Sequence, residues 1–344
     1  MPSDEVATTA GDRFDELAQR LGGFYLSWVV YLGLELGLFQ RIRAAGRDGL
    51  PPSSLASDAR CAPGPVEAWV RAAHASELVG FDGDRVTLPD DTASVLLDDT
   101  RPEYLGGQFV AAVVSSLDYA ALADFFRTGH PVTERPPRFH RAIEAVTVQD
   151  IAVFFQEGLA QLPDLAARLA AGGRVLDVAC GGGKWLIAVA RRFPLLSLVG
   201  VEFEPDSVAR AMRHVTDAGL ESRIRIEARD TVAMPYDREF DLVYFQDALH
   251  ELADPVASLA SAWKAVRPDG RLVVLDWCLP STVEDSQSLQ AELLWGIQID
   301  ELFQGTRMYT REGFLEIFAS AEVPWPAVIE LVSGATLFTA ERPG

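Results

Sequence analysis

Asp177 stands four residues before Gly181 in the run 174–190, R-V-L-D-V-A-C-G-G-G-K-W-L-I-A-V-A. Glycines at 181, 182 and 183 let a backbone approach a ligand closely, and a helix starting behind them presents free N–H groups. A dinucleotide fingerprint would place a further glycine at 186, where the chain has Leu186. A carboxylate aimed into such a turn repels a pyrophosphate and attracts a cationic amine, so the chemistry called for is a ligand with an ammonium group and no phosphate. Glu202, 21 residues beyond Gly181, ends a second apolar run and can accept two hydrogen bonds from a ribose diol.

These residues need a strand–turn–helix frame to hold them. Val175, Leu176 and Val178 read as a buried strand, and from Trp185 the pattern turns helical, with Leu186, Val189 and Ala190 on one side. Further strands are expected over 198–201, 223–228, 241–245 and 271–275, alternating with helices, which predicts a parallel sheet covered on both faces. Residues 328–332 and 336–340 flank Ser333-Gly334-Ala335 as a closing hairpin.

The run 174–190 resembles the first motif of the class I S-adenosylmethionine-dependent methyltransferases, D-x-G-x-G-x-G; here it reads D-V-A-C-G-G-G, with Ala179 replacing the first glycine. The resemblance implies an α/β, Rossmann-like sheet, parallel with a terminal antiparallel hairpin, and S-adenosyl-L-methionine as cofactor. The implied cofactor residues are Asp177, Ala179, Gly181 and Gly183 at the first strand and Glu202 with Phe203, the ring able to pack on adenine, at the second. Asp230 at the third strand would accept from the adenine amino group, with Thr231 beside it among the cofactor residues, and Gln246 and Asp247 at the fourth would lie over the methionine half.

The N-terminal part predicts helices and one hairpin. Phe14, Leu17, Leu21, Phe24, Trp28 and Tyr31 alternate steps of three and four, a seam interrupted at Glu35, and 25–38 is apolar on nearly every face. Residues 1–11 are expected to be disordered. Ser53 or Ser54 is expected to cap a helix over 55–59, and Pro65 to open another reaching Leu78, before a hairpin around Asp82-Gly83. Helix, helix, hairpin is a winged-helix pattern, but its second helix carries one Arg against two Glu, which disfavours DNA reading. The arrangement resembles the dimerisation domain of the plant-type small-molecule O-methyltransferases and their bacterial relatives. The expected organisation is a winged-helix dimerisation domain over 1–100, connecting helices over 101–165 that roof the substrate cavity, and the cofactor-binding domain over 166–344.

In those enzymes an L-H-D-W segment carries the catalytic histidine; here Leu249-His250 match and Glu251-Leu252 replace the last pair. The resemblance makes His250 the base and Asp276, in D-W-C-L-P, its orienting acid. A third acid of the family should fall near Met308 and is missing, which opens C-methylation of a 2-oxo acid, or an intramolecular reaction releasing methylthioadenosine, as alternatives. Phe154, Phe155, Trp277, Trp295, Gln298 and Met308 are the expected substrate-pocket residues. Some bacterial relatives hold an iron with two histidines; of His74, His130, His140, His214 and His250 only the last sits on a motif, and 290–303 contains Gln298 and Glu301 but no His, so no metal is expected.

Net charge is −20 over 344 residues, which disfavours nucleic acid and anionic membrane as partners and leaves a non-enzymatic winged-helix regulator as a remote alternative. Cys61, Cys180 and Cys278 form no spaced set, the N-terminus is acidic and polar, and no apolar run approaches a membrane span. The expectation is a cytoplasmic, homodimeric enzyme of specialised metabolism acting on a small molecule.

Overall fold

The computed structural model describes residues 9–132 and 134–344. Residues 1–8 of the stretch expected to be disordered lie outside the described residues, whereas Thr9 to Gly11 open the first helix: Thr9 and Asp12 form a reciprocal capping box. The chain divides into two compact units, 1–99 with 104–117, and 100–103 with 118–344.

The first unit contains α1 (Ala10–Glu35), α2 (Leu38–Ala44), α3 (Pro52–Ala59), α4 (Pro63–Ala75), the hairpin β1 (Gly80–Phe81) and β2 (Val86–Thr87), α5 (Asp90–Leu97) and α6 (Gly106–Ser116). Helices α3 and α4 start at Pro52 and Pro63, earlier than Ser53/Ser54 and Pro65 predicted, because a proline's fixed φ suits the first helical position. Its core gathers Val30, Leu38, Phe39, Ile42, Trp69 and Val70, and Trp69 Nε1 donates to the carbonyl of Val29 at 2.8 Å. The segment 106–116, read from sequence as part of the connecting helices, packs as α6 with α1 in this unit, since its apolar residues need that face. Phe14, Leu17, Leu21 and Phe24 stay exposed along α1.

The second unit opens with α7 (Leu122–Thr128), α8 (Pro137–Val153) and α9 (Pro163–Ala171). A π turn at Phe154–Gly158 breaks the helix expected to continue from 151 to 169. Then follow β3 (Gly173–Val178), α10 (Lys184–Arg192), β4 (Leu196–Glu202), α11 (Pro205–Asp217), β5 (Ile224–Ala228), β6 (Phe240–Gln246), α12 (Pro255–Ala265), β7 (Val266–Asp276), α13 (Leu289–Gln304), α14 (Arg311–Ser320), β8 (Ala327–Glu330) and β9 (Thr336–Glu341). The seven-stranded sheet has the order β5-β4-β3-β6-β7-β9-β8. Its first five strands pair in parallel, and β9 pairs antiparallel with both β7 and β8, so the predicted sheet and closing hairpin are both present. Separate apolar clusters fill its two faces, one with α9, α10 and α11, the other with α12 and α14. From β3 the chain winds outward to β5 and then returns to β6 on the other side. That reversal creates a crevice beyond the carboxyl ends of β3 and β6, where an open α/β sheet binds ligands. Among the described residues no single helix is long and apolar enough to cross a membrane.

Candidate active site

Asp177 lies near the carboxyl end of β3 with 2% of its surface exposed, and burial, followed by the nearby Glu202, pushes its carboxyl well above the usual range. The turn behind it is held in unusual backbone conformations. Ala179 has φ +59, the left-handed conformation that the replaced glycine would adopt freely, and Gly181 and Gly183 have φ +50 and +71. A Cβ built on Gly181 meets no heavy atom within 4 Å, so open space lies above the turn. Glu202, at the end of β4, anchors the loop: Oε2 accepts from the Gly181 N–H at 2.9 Å, and Oε1 accepts from the N–H groups of Phe203 and Glu204 at 2.8 and 2.9 Å. Each carboxylate oxygen can accept more than one bond, so Glu202 retains capacity for a diol. Phe203 follows with 72% of its surface exposed, an aromatic face bare at the rim.

Asp230 caps the short turn after β5 by accepting from the Val232 N–H at 3.1 Å. Thr231 does not turn outward: its side chain is buried and its hydroxyl lies 2.7 Å from that of Ser258 on α12, because the turn packs on that helix. At the end of β6, Gln246 donates from Nε2 to the Thr147 carbonyl at 3.2 Å, while its buried Oε1 has no partner among the described residues. Asp247 takes φ +46, and its N–H bonds the Leu275 carbonyl at 2.8 Å.

His250 and Asp276 meet, as their positions after β6 and at the end of β7 foretold. Nδ1 of the imidazole is 2.9 Å from Asp276 Oδ1 and 3.7 Å from Asp247 Oδ1; the ring is 6% exposed and Asp276 fully buried. Asp276 Oδ1 also accepts from the Trp277 N–H at 2.9 Å, and Oδ2 is left without a partner among the described residues. Burial by itself would lower the imidazole pKa, but Asp276, the hydrogen bond to it, Asp247 and Glu251 together raise it well above the ordinary value.

Three acids that sequence reasoning did not place in the site converge there. Glu251 and Glu301 each bring a carboxylate oxygen into a group with a His250 nitrogen in which all three atoms lie within 4.8 Å of one another. Glu301 comes from α13, so an acid does reach His250's surroundings although position 308 holds Met. Burial, then Glu301, raises the Glu251 carboxyl to about 8, although the side chain remains accessible. Asp150 of α8 is fully buried, and its Oδ1 accepts from Trp277 Nε1 at 3.1 Å; burial first, and Asp276 further, raise it to about 7. Asp150, followed by the apolar residues 151–155, was the available signal.

The expected pocket residues divide. Trp277 and Met308 join Leu279 and Leu294 in an apolar cluster next to Asp276. Gln298 is buried and accepts from the Met308 N–H at 2.7 Å, holding that loop. Phe154 is core: fully buried, its ring centroid lies 5.4 Å from Trp185 and 4.8 Å from Tyr244. Phe155 sits under Arg192 at the far end of α10 from the glycine turn, and Trp295 is 41% exposed, bonded to Ser286; neither is brought to His250.

Residues 169–321 match the family model described as a methyltransferase domain. The chain is 28% identical over 181 residues to the 27-O-demethylrifamycin SV methyltransferase of Amycolatopsis mediterranei, covering 51% of this chain and 66% of that protein. It is 36% identical over 110 residues to the demethylmenaquinone methyltransferase of Deinococcus radiodurans, covering 32% and 45%. The chain thus spans between about half and two thirds of the length of these curated relatives. Among solved structures, PigF with SAH superposes at TM-score 0.72 with 19% identity, covering 97% of this chain and 99% of that one. Human N-acetylserotonin methyltransferase in complex with SAM gives 0.68 with 17% identity and full coverage of both chains. The fold is that of the class I methyltransferases, and residues 169–321 match a methyltransferase domain.

Holding Ala179 in the left-handed region costs roughly 1–2 kcal/mol. Ala179→Gly is therefore expected to raise stability by up to about 1 kcal/mol, the gain tempered by glycine's greater unfolded-state entropy, as read from denaturant melts.

Proposed function

We propose that this chain is a methyltransferase of small molecules in specialised metabolism, built on S-adenosylmethionine as methyl donor. The observation that carries the proposal is Asp177, buried beneath a glycine turn that is open above Gly181 and tied down by Glu202, at the crevice where the strand order reverses. The fit is supported by the orphaned Oε1 of Gln246 and the bare ring of Phe203 at the same strand ends. Glu202 would hold the ribose diol, Phe203 and Asp230 the adenine, and Asp177 and Gln246 the methionine half.

When bound, the cofactor supplies a methyl group already activated on a sulfonium. The work left to the protein is alignment, exclusion of water and management of the acceptor's proton. His250 accepts that proton at Nε2, while Asp276 fixes the ring through Nδ1 and stabilises the imidazolium formed. In the resting site the surrounding acids favour the imidazolium, so His250 is a base only above its raised pKa. A positive charge entering the site lowers that pKa, since like charges disfavour each other.

Calorimetry with S-adenosylhomocysteine on chelator-treated protein tests the cofactor assignment. Binding is expected, and Glu202→Ala should weaken it by roughly 1.5–3 kcal/mol through lost charge-assisted bonds. No detectable binding at millimolar ligand sinks the proposal.

The base role predicts that kcat/KM rises with pH through a limb centred above the usual histidine value, because the raised pKa belongs to the free enzyme. His250→Ala should leave cofactor affinity nearly unchanged and lower turnover by about 10²–10⁴. Asp276→Asn should cost less, with losses that do not add. Full activity in His250→Ala refutes the base.

The exposed seam of Phe14, Leu17, Leu21 and Phe24 on α1 supports a homodimer. Sedimentation should show a dimer at micromolar concentration. Phe24→Asp should dissociate it without unfolding the chain, because Phe24 is 53% exposed, whereas Trp28 is half-buried and packs on Tyr31. A wild-type monomer rejects the seam as an interface.

A further inference from the structure

Outside the site, several shielded acids of the second unit pair with arginine. Asp241 lies 2.5 Å from Arg267, Glu144 2.5 Å from Arg210, Asp300 3.2 Å from Arg135, and Asp118 bonds Arg138. Around His250 the pattern stops. Asp150, Asp247, Glu251, Asp276 and Glu301 surround one imidazole, and among the described residues none of the five is paired with Arg or Lys. Glu301 is held by neutral groups alone, Gln304 and Thr306, at one of its oxygens. The second oxygens of Asp150 and Asp276, both on fully buried side chains, have no partner among the described residues. Burying carboxylates without a counter-charge is costly, and the cost is recovered when a cation arrives. Asp177 follows the same pattern on the cofactor side, a buried acid for which the cofactor's ammonium is the natural complement.

We propose that the acceptor carries an ammonium group, seated between Glu251 and Glu301 beside His250, with an apolar body laid against Trp277, Leu279, Leu294 and Met308. The proposal rests on the methyltransferase function and adds the substrate class, an amphiphilic organic cation. The apolar cluster begins one residue beyond Asp276, so charge and body are met by adjoining surfaces. Trp277 is pinned by its bond to Asp150. An ammonium donates hydrogen bonds to carboxylates and needs no fixed coordination geometry, which suits acids arriving from a strand end, a loop and two helices. The raised carboxyls of Asp150 and Glu251 hold protons that an incoming cation displaces, so binding is coupled to proton release.

The test is calorimetric titration of the full chain, saturated with S-adenosylhomocysteine at neutral pH, with 2-phenylethylammonium and with its neutral counterpart 2-phenylethanol. The ammonium is expected to bind about tenfold tighter or more, releasing protons, since charge-assisted bonds are roughly twice as strong as neutral ones. Glu301→Gln should reduce that preference severalfold while leaving S-adenosylhomocysteine affinity unchanged. Glu251→Gln, at an accessible position, provides the same reading should the Glu301 variant fold poorly. Equal affinity for the two probes, binding of neither at millimolar concentration, or variants that keep the full preference each overturn the proposal. So does tight binding of Mn²⁺ that Glu301→Gln abolishes, which would make the occupant a metal ion. Repeating the titrations without S-adenosylhomocysteine separates failure of the cofactor assignment from failure of the ammonium site.

Discussion

Acidic side chains gathered at the strand ends, with His250 as their one nearby basic partner among the described residues, are the constraint around which the second unit is arranged. Burying a carboxylate costs several kcal/mol after relaxation, and the site holds Asp177 on β3, Asp276 on β7 and Asp247 just beyond β6, with Asp150 and Glu301 brought in by helices. The sheet can carry this because its interior is apolar on both faces, with Val175, Leu176, Leu242 and Val274 fully buried. Rigid strands hold the acids against the repulsion that would spread them. The backbone at the same place is also strained: Ala179 and Asp247 both occupy the left-handed region, one before the glycine turn and the other beside His250. Two of the chain's left-handed non-glycine residues thus lie at the crevice beside its buried acids.

Much of the fold was legible because the sheet's strands are short apolar runs with acids at their ends, and period and length separate them from helices. Each predicted strand of the large sheet is present within a few residues, and the closing hairpin is where Ser333-Gly334-Ala335 placed it. Helix starts were less legible. Pro52 and Pro63 begin helices through backbone geometry alone, whereas serine signals by side-chain bonding and was overweighted. The break at Phe154–Gly158 has no periodic signature, because a π turn shifts register by one residue within an unbroken apolar pattern.

The site was legible where its residues sit on the strands and obscure where they come from helices. His250 and Asp276 follow β6 and belong to β7, so chain order alone brings them together. Glu301 and Asp150 are separated from them by tens of residues, and only the packing of α13 and α8 decides which helix face turns inward. The same ignorance of facing explains the aromatic errors. Phe154 looked like a pocket ring because it is large and apolar, and it lies instead in the stack with Trp185 and Tyr244, which are parallel at 4.2 Å. Thr231 adjoins Asp230 in sequence, yet consecutive residues in a tight turn point different ways.

The last strand of the sheet in chain order is an inner one. β9 lies between β7 and β8 and pairs with β7 from Arg271 through Asp276, so the strand bearing Asp276 has one of its two neighbours only when residues 336–341 are in place. On a ribosome, β3 to β7 emerge first and can assemble a parallel half-sheet, but β7 then presents an open edge of unpaired backbone N–H and C=O groups. That edge includes Asp276, whose register opposite Thr336 is fixed only by the late arrival. Synthesis therefore sets the glycine-turn side of the crevice before the Asp276 side has its second neighbour, and the nascent chain spends the interval with one edge of β7 uncovered.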